Sequence, residues 1–550
     1  MDVYSVKFDN CRYVYPLRCI RPSNKFKYDE QPIIESVVQE LNEANAIIDD
    51  VVLDNPKRSI FRCALNHAST FACEYCESHA THYTNDQLTK DIAANVKKID
   101  KKCTEIQNRI DYLNDCPGTV SSKHKDDENV ALLLEILTDL KQQRTDELKK
   151  QKRRHLVWPA TTSDGTPRTY QRIKNITDAI ERQNNDFENE SVDSDGSGRV
   201  MLTKADKKGF IGTSVFLNQP NFHFISNIPC EYMHALCICL VKRMLELTFC
   251  VGEKRERCTK RKLSSPNTYN IQIQTCQVPR EFSRRGRNLD LGVMKALEYR
   301  NVILFFFPLI LNCIPPIHHK ERRLWLCLAF ITRACVIPNI EFEQVDENMI
   351  DAFSNVFYTD YQDVYGRKNC TYSLHVIATH LLQIRGRDPL TETSAFKFEN
   401  YYSEMKNMYH PGTTSTMKQI VQNSIMKRLL DYHCCEKTLF FKTSKQKNQN
   451  SHPRKEDNSL IYVYDNNKHN MYKIVNIPED DPDNLICVPQ GKFRVTFPLL
   501  PDASWDNVGV YRIGPTSSRQ ITIPRARVTG KVIKVSMYLI TCPSNILREQ

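Results

Sequence analysis

Six side chains able to bind a metal ion lie within twenty residues near the start of the chain. Cys73 and Cys76 are separated by two residues, the spacing of a metal-binding knuckle, and four more candidate ligands surround them: Cys63, His67, His79 and His82. This cluster is typical of a structural zinc site. The alternative interpretation is a loop rich in cysteine and histidine whose thiols stay reduced.

A carboxylate and an imidazole occur three residues apart, at Glu231 and His234, early in a helix predicted over residues 227–249. Pro229 suits the first turn of a helix because its missing N–H is not needed there, and apolar residues then recur at helical spacing. Residues three apart share one face of a helix, so the pair is a candidate functional arrangement. The alternative is an amphipathic core helix whose histidine hydrogen-bonds the glutamate.

Basic residues are concentrated in two later stretches. The segment KRERCTKRK is a candidate nuclear-localisation signal or contact to the DNA backbone, with a solvated loop as the alternative. Its basic residues are Lys254, Arg255, Arg257, Lys260, Arg261 and Lys262. The segment VPREFSRRGRNL carries guanidinium groups that suit phosphate oxygens, with solvated surface arginines as the alternative. These arginines are Arg284, Arg285 and Arg287.

The composition limits the class of protein. The 550 residues include 76 lysines and arginines against 65 aspartates and glutamates, a net charge of +11, which suits a polyanionic partner such as DNA. The 21 cysteines show no regular pairing and the N-terminus lacks signal-peptide features, so we expect a reducing compartment. The longest apolar run, residues 302–317, is too short to span a bilayer and contains three prolines, so we predict a buried helical element and no membrane partner.

Hydrophobic periodicity divides the chain into regions. Residues 1–62 are predicted to form a small α/β unit, whose last strand ends at Asp54, a position from which a carboxylate can hold a divalent cation. A heptad seam in residues 84–152 predicts an antiparallel helical hairpin, which either mediates dimerisation or projects as an arm. Residues 291–357 are largely helical in pattern, and from residue 460 onward alternation predicts strands.

Segments along most of the chain resemble, in order, motifs of the CACTA-like (En/Spm-type) DDE transposases and their domesticated relatives. The segment EYMHALCICLVKRMLEL resembles their D-Y-M-H helix, and SAFKFENYYSEMK resembles their S-A-F-x-F-E-N motif. Further motifs are matched by LDNPKRSIF, the C-x-x-C loop, KKGFIGTSVF, VPREFSRRGRNL and CTYSLHVIATHLL. In the last of these segments we interpret His375 and His380 as packed histidines and not as ligands.

The resemblance implies a fold class, an α/β RNase H-like core interrupted by a helical-hairpin (coiled-coil) insertion and a large all-α insertion, with a small C-terminal all-β domain. The implied domains are residues 1–83 for the first part of the core with its zinc loop, 84–155 for the hairpin, 156–227 for a connecting segment with an acidic linker, 228–440 for the helical insertion and the last part of the core, and 458–550 for the β domain. The resemblance also favours His67, Cys73 and Cys76 as zinc ligands, with Cys63 as a candidate fourth.

Enzymes of this family hold two divalent cations between three carboxylates, and the metals activate a water or a 3′-hydroxyl for attack on a phosphodiester. The resemblance places the carboxylates at Asp2, Asp54 and Glu399, with Glu231 and His234 assisting, and Mg²⁺ or Mn²⁺ as the catalytic ions. The chain departs from the family at several positions, including Val3 in place of a glycine and Asn55 and Lys57 in place of small residues. Two further departures concern the proposed catalytic residues directly. Glu231 stands where the family has aspartate, and the strand that would carry Asp2 begins at Met1, so its first half is missing.

These departures favour a transposase-derived nuclear DNA-binding protein in which DDE phosphodiester transfer is impaired or lost. An active two-metal DNA transposase or endonuclease is one alternative, and a non-catalytic protein-interaction scaffold is the other. DNA is the expected partner, zinc the expected structural metal and the nucleus the expected location. A homodimer formed through the helical hairpin is a further expectation.

Overall fold

The structure is a computed structural model, and the chain forms two compact units. One unit is residues 80–158, and the other combines residues 1–79 with residues 159–550. The structure describes residues 2–8, 11–18, 39, 73, 75–77, 80–83, 86–115, 130–131, 133–145, 155–158, 166–188, 203, 207–219, 222–249, 266–276, 278–279, 282, 287–386, 388–396, 399–400, 460–478, 480–481, 483–543 and 546.

The smaller unit is built on two helices. α1 spans Asp86–Asp115, and α2 covers residues 130–131 and 133–145. Arg144 Nε donates to Asp100 Oδ1 at 2.6 Å, which joins the end of α2 to the middle of α1 and makes the helices antiparallel. A short antiparallel pair, β3 (Thr81–Tyr83) and β4 (His155–Val157), connects the two ends of the segment. Both helices predicted for this insertion are therefore present.

The core of the larger unit is helical. α4 begins with the π-helical turns Met233–Val241 and continues through Lys242–Phe249. α6 runs from Ala296 to Cys313, and it contacts α4. By length and composition this helix could cross a membrane, but 83% of the 18-residue window is buried inside the protein. A helix that is apolar on all sides belongs in an interior, and the buried helical element predicted for the run from residue 302 is confirmed.

The remaining helices of the described residues complete this layer, and their ends follow local capping rules. Asp346 accepts a hydrogen bond from the N–H of Asn348 at the start of α9, and Gly366, with φ of +83°, ends that helix. Thr371 caps α10 in the same way. The bounds are α3 Tyr170–Glu188, α5 Pro266–Ile273, α7 His319–Val336, α8 Asn339–Phe342, α9 Glu347–Tyr365 and α10 Tyr372–Arg385.

The C-terminal region forms a closed antiparallel barrel of six strands. The strands pair in the order β5, β6, β7, β8, β11 and β10, and β10 pairs again with β5. β9 pairs with β7 outside this ring. Residues from opposite sides of the ring, including Tyr462, Tyr511 and Leu539, pack into one interior cluster. The bounds are β5 Leu460–Asp465, β6 Lys468–Asn476, β7 Asn484–Arg494, β8 Val510–Thr516, β9 Ile521–Pro524, β10 Gly530–Val535 and β11 Tyr538–Pro543.

The predicted fold class, an α/β RNase H-like core followed by a small all-β domain, is wrong. The described N-terminal strands β1 (Asp2–Phe8) and β2 (Cys11–Arg18) form a two-stranded antiparallel pair, and the large sheet is the closed C-terminal barrel. Alternation correctly predicted strands in both regions. It could not predict which strands pair, because pairing between distant strands sets the class of sheet. The rest of the predicted α/β unit, residues 19–62 with the strand that ends at Asp54, lies outside the described residues, apart from a helical position at residue 39.

Arg333 on α7 fastens the barrel to the helical layer. Its buried guanidinium donates to the carbonyl oxygens of Leu304, Val508 and Thr541 at 2.8, 2.8 and 3.1 Å. Burial lowers the pKa of Arg333 to about 10, so the side chain stays charged at neutral pH. Gly509 makes room for this contact, because a Cβ there would lie 1.8 Å from Thr541 Oγ1 and its φ of +74° suits only glycine.

A buried acid–base pair lies at the same boundary between the barrel and the helical layer. Glu341 of α8 and His469 of β6 approach to 2.9 Å, and both side chains are almost fully buried. The second ring nitrogen of His469 hydrogen-bonds Tyr511 Oη at 3.0 Å, and Trp505 stacks on Phe307 nearby in the layer. Polar and aromatic contacts together therefore join the barrel to the helices.

Replacing Arg333 with methionine should lower the free energy of unfolding by about 3 kcal/mol, because three buried carbonyl groups lose a charged donor. Urea unfolding followed by circular dichroism measures this change. Arg367→Met, at an exposed position between α9 and α10, is the matched control and should stay within about 0.5 kcal/mol of the parent protein. Equal stability of the two variants would contradict the assigned role of Arg333.

Candidate metal centre and adjoining carboxylate–histidine pair

Two cysteines and two histidines converge in the interior of the larger unit. Cys73, Cys76, His375 and His380 are all buried, and their ligand atoms lie within 4.8 Å of one another. His375 Nε2 lies 3.3 Å from Cys73 Sγ and 3.6 Å from Cys76 Sγ. His380 Nε2 lies 3.4 and 3.3 Å from the same atoms, and the sulfurs are 3.4 Å apart. These separations match the edges, roughly 3.5 Å, of a tetrahedral site with two sulfur and two nitrogen ligands.

The backbone around the cysteines is fixed by hydrogen bonds to a later segment. Glu77 N–H donates to Thr166 O and Arg168 N–H donates to Tyr75 O, both at 2.9 Å. The buried Arg168 side chain also donates to the carbonyl of Cys76 at 3.1 Å. Its Nη2 donates to the carbonyl of Lys208 at 2.6 Å, so this guanidinium binds backbone carbonyl groups.

The histidines are presented by α10, five residues apart. His380 Nδ1 hydrogen-bonds Gln383 Oε1 at 2.8 Å, which leaves Nε2 directed at the sulfurs. A partner on the outer ring nitrogen orients a metal-binding imidazole in this way. The four side chains can therefore hold a metal ion.

The two buried thiols interact, and their pKa values shift in opposite directions. The hydrogen bond with Cys73 lowers the pKa of Cys76 far below its ordinary range, and the two histidines lower it further. Burial raises the pKa of Cys73, as does the neighbouring Cys76. A metal ion would bind both sulfurs as thiolates and both imidazoles in the neutral form, because these are the metal-binding forms.

Sequence reasoning found half of this cluster. Cys73 and Cys76 were predicted ligands, whereas the predicted ligands Cys63 and His67 lie outside the described residues. His375 and His380 were interpreted as packed histidines, yet they are the groups that the structure brings to the cysteines. Two histidines on one helix, in a chain with one C-x-x-C motif, were the signal that could have found them.

Tyr75 links the metal cluster to the start of α4. Its ring stacks on His380 with centroids 5.0 Å apart and an interplanar angle of 27°. Its hydroxyl accepts a hydrogen bond of 2.7 Å from the N–H of Cys230. The next residue is Glu231, so one side chain couples the two candidate sites.

The Glu231 carboxylate is buried and surrounded by donors. One oxygen accepts from the N–H groups of Met233 and Ala395 at 2.8 and 2.9 Å. The other accepts from the His234 N–H at 2.9 Å and lies 2.7 Å from His234 Nδ1. The interpretation in which the histidine hydrogen-bonds the glutamate is confirmed. Glu231 therefore caps the first turn of α4. It also binds the S-A-F segment, residues 394–396, to this helix.

His234 and Glu399 form the accessible side of this arrangement. An ionised carboxylate only accepts hydrogen bonds, so His234 Nδ1 carries the shared proton and Nε2 faces Glu399 Oε1 at 3.9 Å. The side chains are 31% and 57% exposed. Burial raises the pKa of Glu399, His234 opposes that effect and Glu231 adds to it. An oriented imidazole beside a carboxylate can accept a proton or contribute to a cation site.

Within the described residues, the structure does not place the other predicted site residues beside Glu231, His234 and Glu399. Asp2 lies on β1, and Asp54 lies outside the described residues. Arg287 is engaged in a two-pronged ion pair with the buried Glu298 and is not presented to a phosphate. The rest of the predicted DNA-contacting set lies outside the described residues, namely Lys254, Arg255, Arg257, Lys260, Arg261, Lys262, Arg284 and Arg285.

Comparison with known proteins adds no assignment. No protein-family model matches the chain, and no curated protein and no solved structure is significantly similar to it. The geometry of the two adjoining sites is therefore the basis for a functional proposal.

Removing the metal should destabilise the larger unit, because the cluster joins a loop to a helix about three hundred residues away. We expect chelation to lower the melting temperature by about 5 °C or more. Cys73→Ser and His380→Ala should each lower the metal content and remove most of the effect of chelation. Equal metal content in Cys73→Ser and the parent protein would contradict this assignment.

Replacing Tyr75 with phenylalanine should uncouple the two sites without emptying the metal cluster. The ring stack on His380 remains, but the buried N–H of Cys230 loses its acceptor, so the free energy of unfolding should fall by about 1–2 kcal/mol. Hydrogen exchange at the start of α4 should accelerate while the metal content stays unchanged. Unchanged exchange at α4 would show that Tyr75 does not position this helix.

Proposed function

We propose that this protein derives from a CACTA-like transposase and acts in the nucleus as a DNA-binding protein in which phosphodiester transfer is impaired or lost. One observation carries the proposal. Four segments that resemble motifs of that family, selected from sequence alone, meet at one place in the fold. The proposal does not rest on the predicted α/β core, which the structure overturned.

The convergence involves contacts between distant residues. The C-x-x-C loop meets the CTYSLHVIATHLL helix at the metal cluster, with Cys73 and His375 separated by 302 positions. The SAFKFEN segment meets the EYMHALC helix at Glu231, which is 164 positions from Ala395. Tyr75 connects these two meeting points. Chance similarities in a long chain have no physical reason to collect around one site.

Zinc is the metal we propose for the cluster. Two thiolates and two imidazoles at tetrahedral separations are the ligand set that zinc favours, and a site with four protein ligands has no open position for chemistry. The role is therefore structural. Because the cluster joins two distant segments through buried groups, it holds the neighbouring helix α4 in place.

The state of Glu231 supports the loss of the assisting role that the resemblance gives this residue in phosphodiester transfer. Two-metal catalysis requires carboxylate oxygens that are open to the cations. Both oxygens of Glu231 are instead engaged by backbone N–H groups and by His234, in a buried position. Glutamate at this position therefore acts as a helix cap and an anchor for the S-A-F segment.

DNA binding is proposed from charge. The net charge of +11 and the run of six basic residues between Lys254 and Lys262 suit a phosphate backbone. Binding of this kind depends strongly on salt, since each phosphate contact releases counterions.

The full chain should bind duplex DNA with an affinity that falls as salt rises. Neutralising all six basic residues of the 254–262 run with glutamine should flatten the slope of log K against log salt by about 2 or more. Fluorescence anisotropy over a salt series measures the slope. Replacing six exposed lysines and arginines elsewhere in the chain controls for net charge, and equal slopes in the two variants would contradict a specific role for this run.

The same protein should show no Mn²⁺-dependent nicking of DNA. Nicking by the parent protein that disappears in an Asp54→Ala, Glu399→Ala double variant would overturn the loss of activity and establish a working two-metal enzyme. Absence of both nicking and salt-sensitive DNA binding would overturn the proposed function and leave a protein-interaction scaffold.

A further inference from the structure

Aromatic and cationic side chains alternate across the outside of the barrel. Phe493 of β7 lies directly opposite Arg512 of β8, and Arg512 lies directly opposite Tyr538 of β11. Directly opposed residues of neighbouring strands share one face of a sheet. Burial raises the pKa of the Tyr538 hydroxyl, whereas the charges of Arg512 and of Arg322 on α7 lower it, so Arg322 lies near the same ring. We call these four residues the aromatic–arginine row.

Phe493 is exposed to solvent at one end of the row, and Tyr538 packs on buried aromatic rings further along it. Phe493 is 57% exposed, which is unusual for a large apolar side chain on a strand. Tyr538 stacks on Phe497 at 5.8 Å, and Phe497 packs on the fully buried Trp505 at 4.9 Å. This aromatic stack fixes Tyr538 in place, so the row is a preformed surface.

The charge at the row is positive. Within the described part of the chain neither Arg512 nor Arg322 has an acidic partner, and Arg322 donates instead to the carbonyl oxygens of Leu311 and Ile314. The nearby Arg494 is paired with Asp506 at 3.0 Å, which cancels that charge. Two guanidinium groups therefore remain beside two aromatic rings.

The backbone groups of the strands under the row are already paired with neighbouring strands, so a ligand cannot pair with them. β7, β8 and β11 each have a neighbouring strand on both sides in the closed barrel. An added β-strand, the usual way for a peptide to bind at a sheet edge, is thus excluded at this face. Binding must use side chains, and these side chains are rings that stack on bases and guanidinium groups that pair with phosphates.

We propose that the aromatic–arginine row binds single-stranded nucleic acid. An unpaired base stacks on Phe493, and successive phosphates of the strand meet Arg512 and then Arg322 along the row. Duplex DNA cannot use the row in this way because its bases are already stacked. The aromatic–arginine row shares no residue with the 254–262 run, and the inference does not depend on the transposase origin of the chain.

Fluorescence anisotropy of the full chain with labelled oligothymidylate and oligouridylate tests the proposal, with labelled duplex DNA measured in parallel. Phe493→Ala should weaken single-strand binding about tenfold, and Phe493→Trp should retain it, because any large ring can stack. Arg512→Gln should flatten the slope of log K against log salt by about 0.7, the value of one phosphate contact on a single strand. The stronger of the two homopolymers identifies DNA or RNA as the preferred source.

Ile271→Ala and Arg367→Gln are the matched controls, since both positions are exposed and lie outside the barrel. They should leave single-strand binding unchanged, and all five variants should bind duplex DNA as the parent protein does. Failure of the parent protein to bind either single strand, or equal binding by Phe493→Ala and Ile271→Ala, would overturn the proposal. Loss of duplex binding alone would count against the DNA-binding function proposed above and not against the row.

Discussion

The approach of Cys73 and Cys76 to His375 and His380 is the constraint on which the larger unit depends. The two pairs are about three hundred residues apart in sequence. Closing so long a loop costs conformational entropy, and a metal ion held by these four residues would offset that cost with bonds that the unfolded chain cannot preorganise. Without the metal, the same position would bury two thiols and two imidazoles that satisfy one another only in part.

Individual contacts connect the cluster to the neighbouring segments. Tyr75 stacks on His380 and hydrogen-bonds Cys230, and Glu231 hydrogen-bonds the backbone of the S-A-F segment from the start of α4. His234 is then held by Glu231 and faces Glu399. Both oxygens of the Glu231 carboxylate are engaged in capping a helix and orienting a histidine, so this residue has a structural role at the site.

Local patterns predicted local structure well. The heptad seam gave the two antiparallel helices of the insertion, the apolar run from residue 302 gave a buried helix, and the three-residue spacing gave the Glu231–His234 hydrogen bond. Cys73 and Cys76 were also predicted correctly as members of the cluster, because the C-x-x-C spacing alone indicates a metal-binding pair. In each case the residues that decide the structure are near one another in the chain.

Contacts between distant residues could not be predicted in this way. His375 and His380 look like core residues of α10 until the cysteine loop is placed beside them. The barrel closes because β10 pairs with β5, some seventy residues away, and alternation within each strand contains nothing about that partner. The resemblance to a transposase family predicted an α/β core, and the pairing of strands in the described residues contradicts it.

X-ray absorption at the zinc edge of the zinc-loaded full chain identifies the ligands that Cys73, Cys76, His375 and His380 supply. We expect one zinc ion with two sulfur ligands near 2.3 Å and two imidazole nitrogens near 2.0 Å. His375→Ala should remove one imidazole from this set. A sulfur-only site, or an imidazole count that His375→Ala and His380→Ala both leave unchanged, would contradict this ligand set.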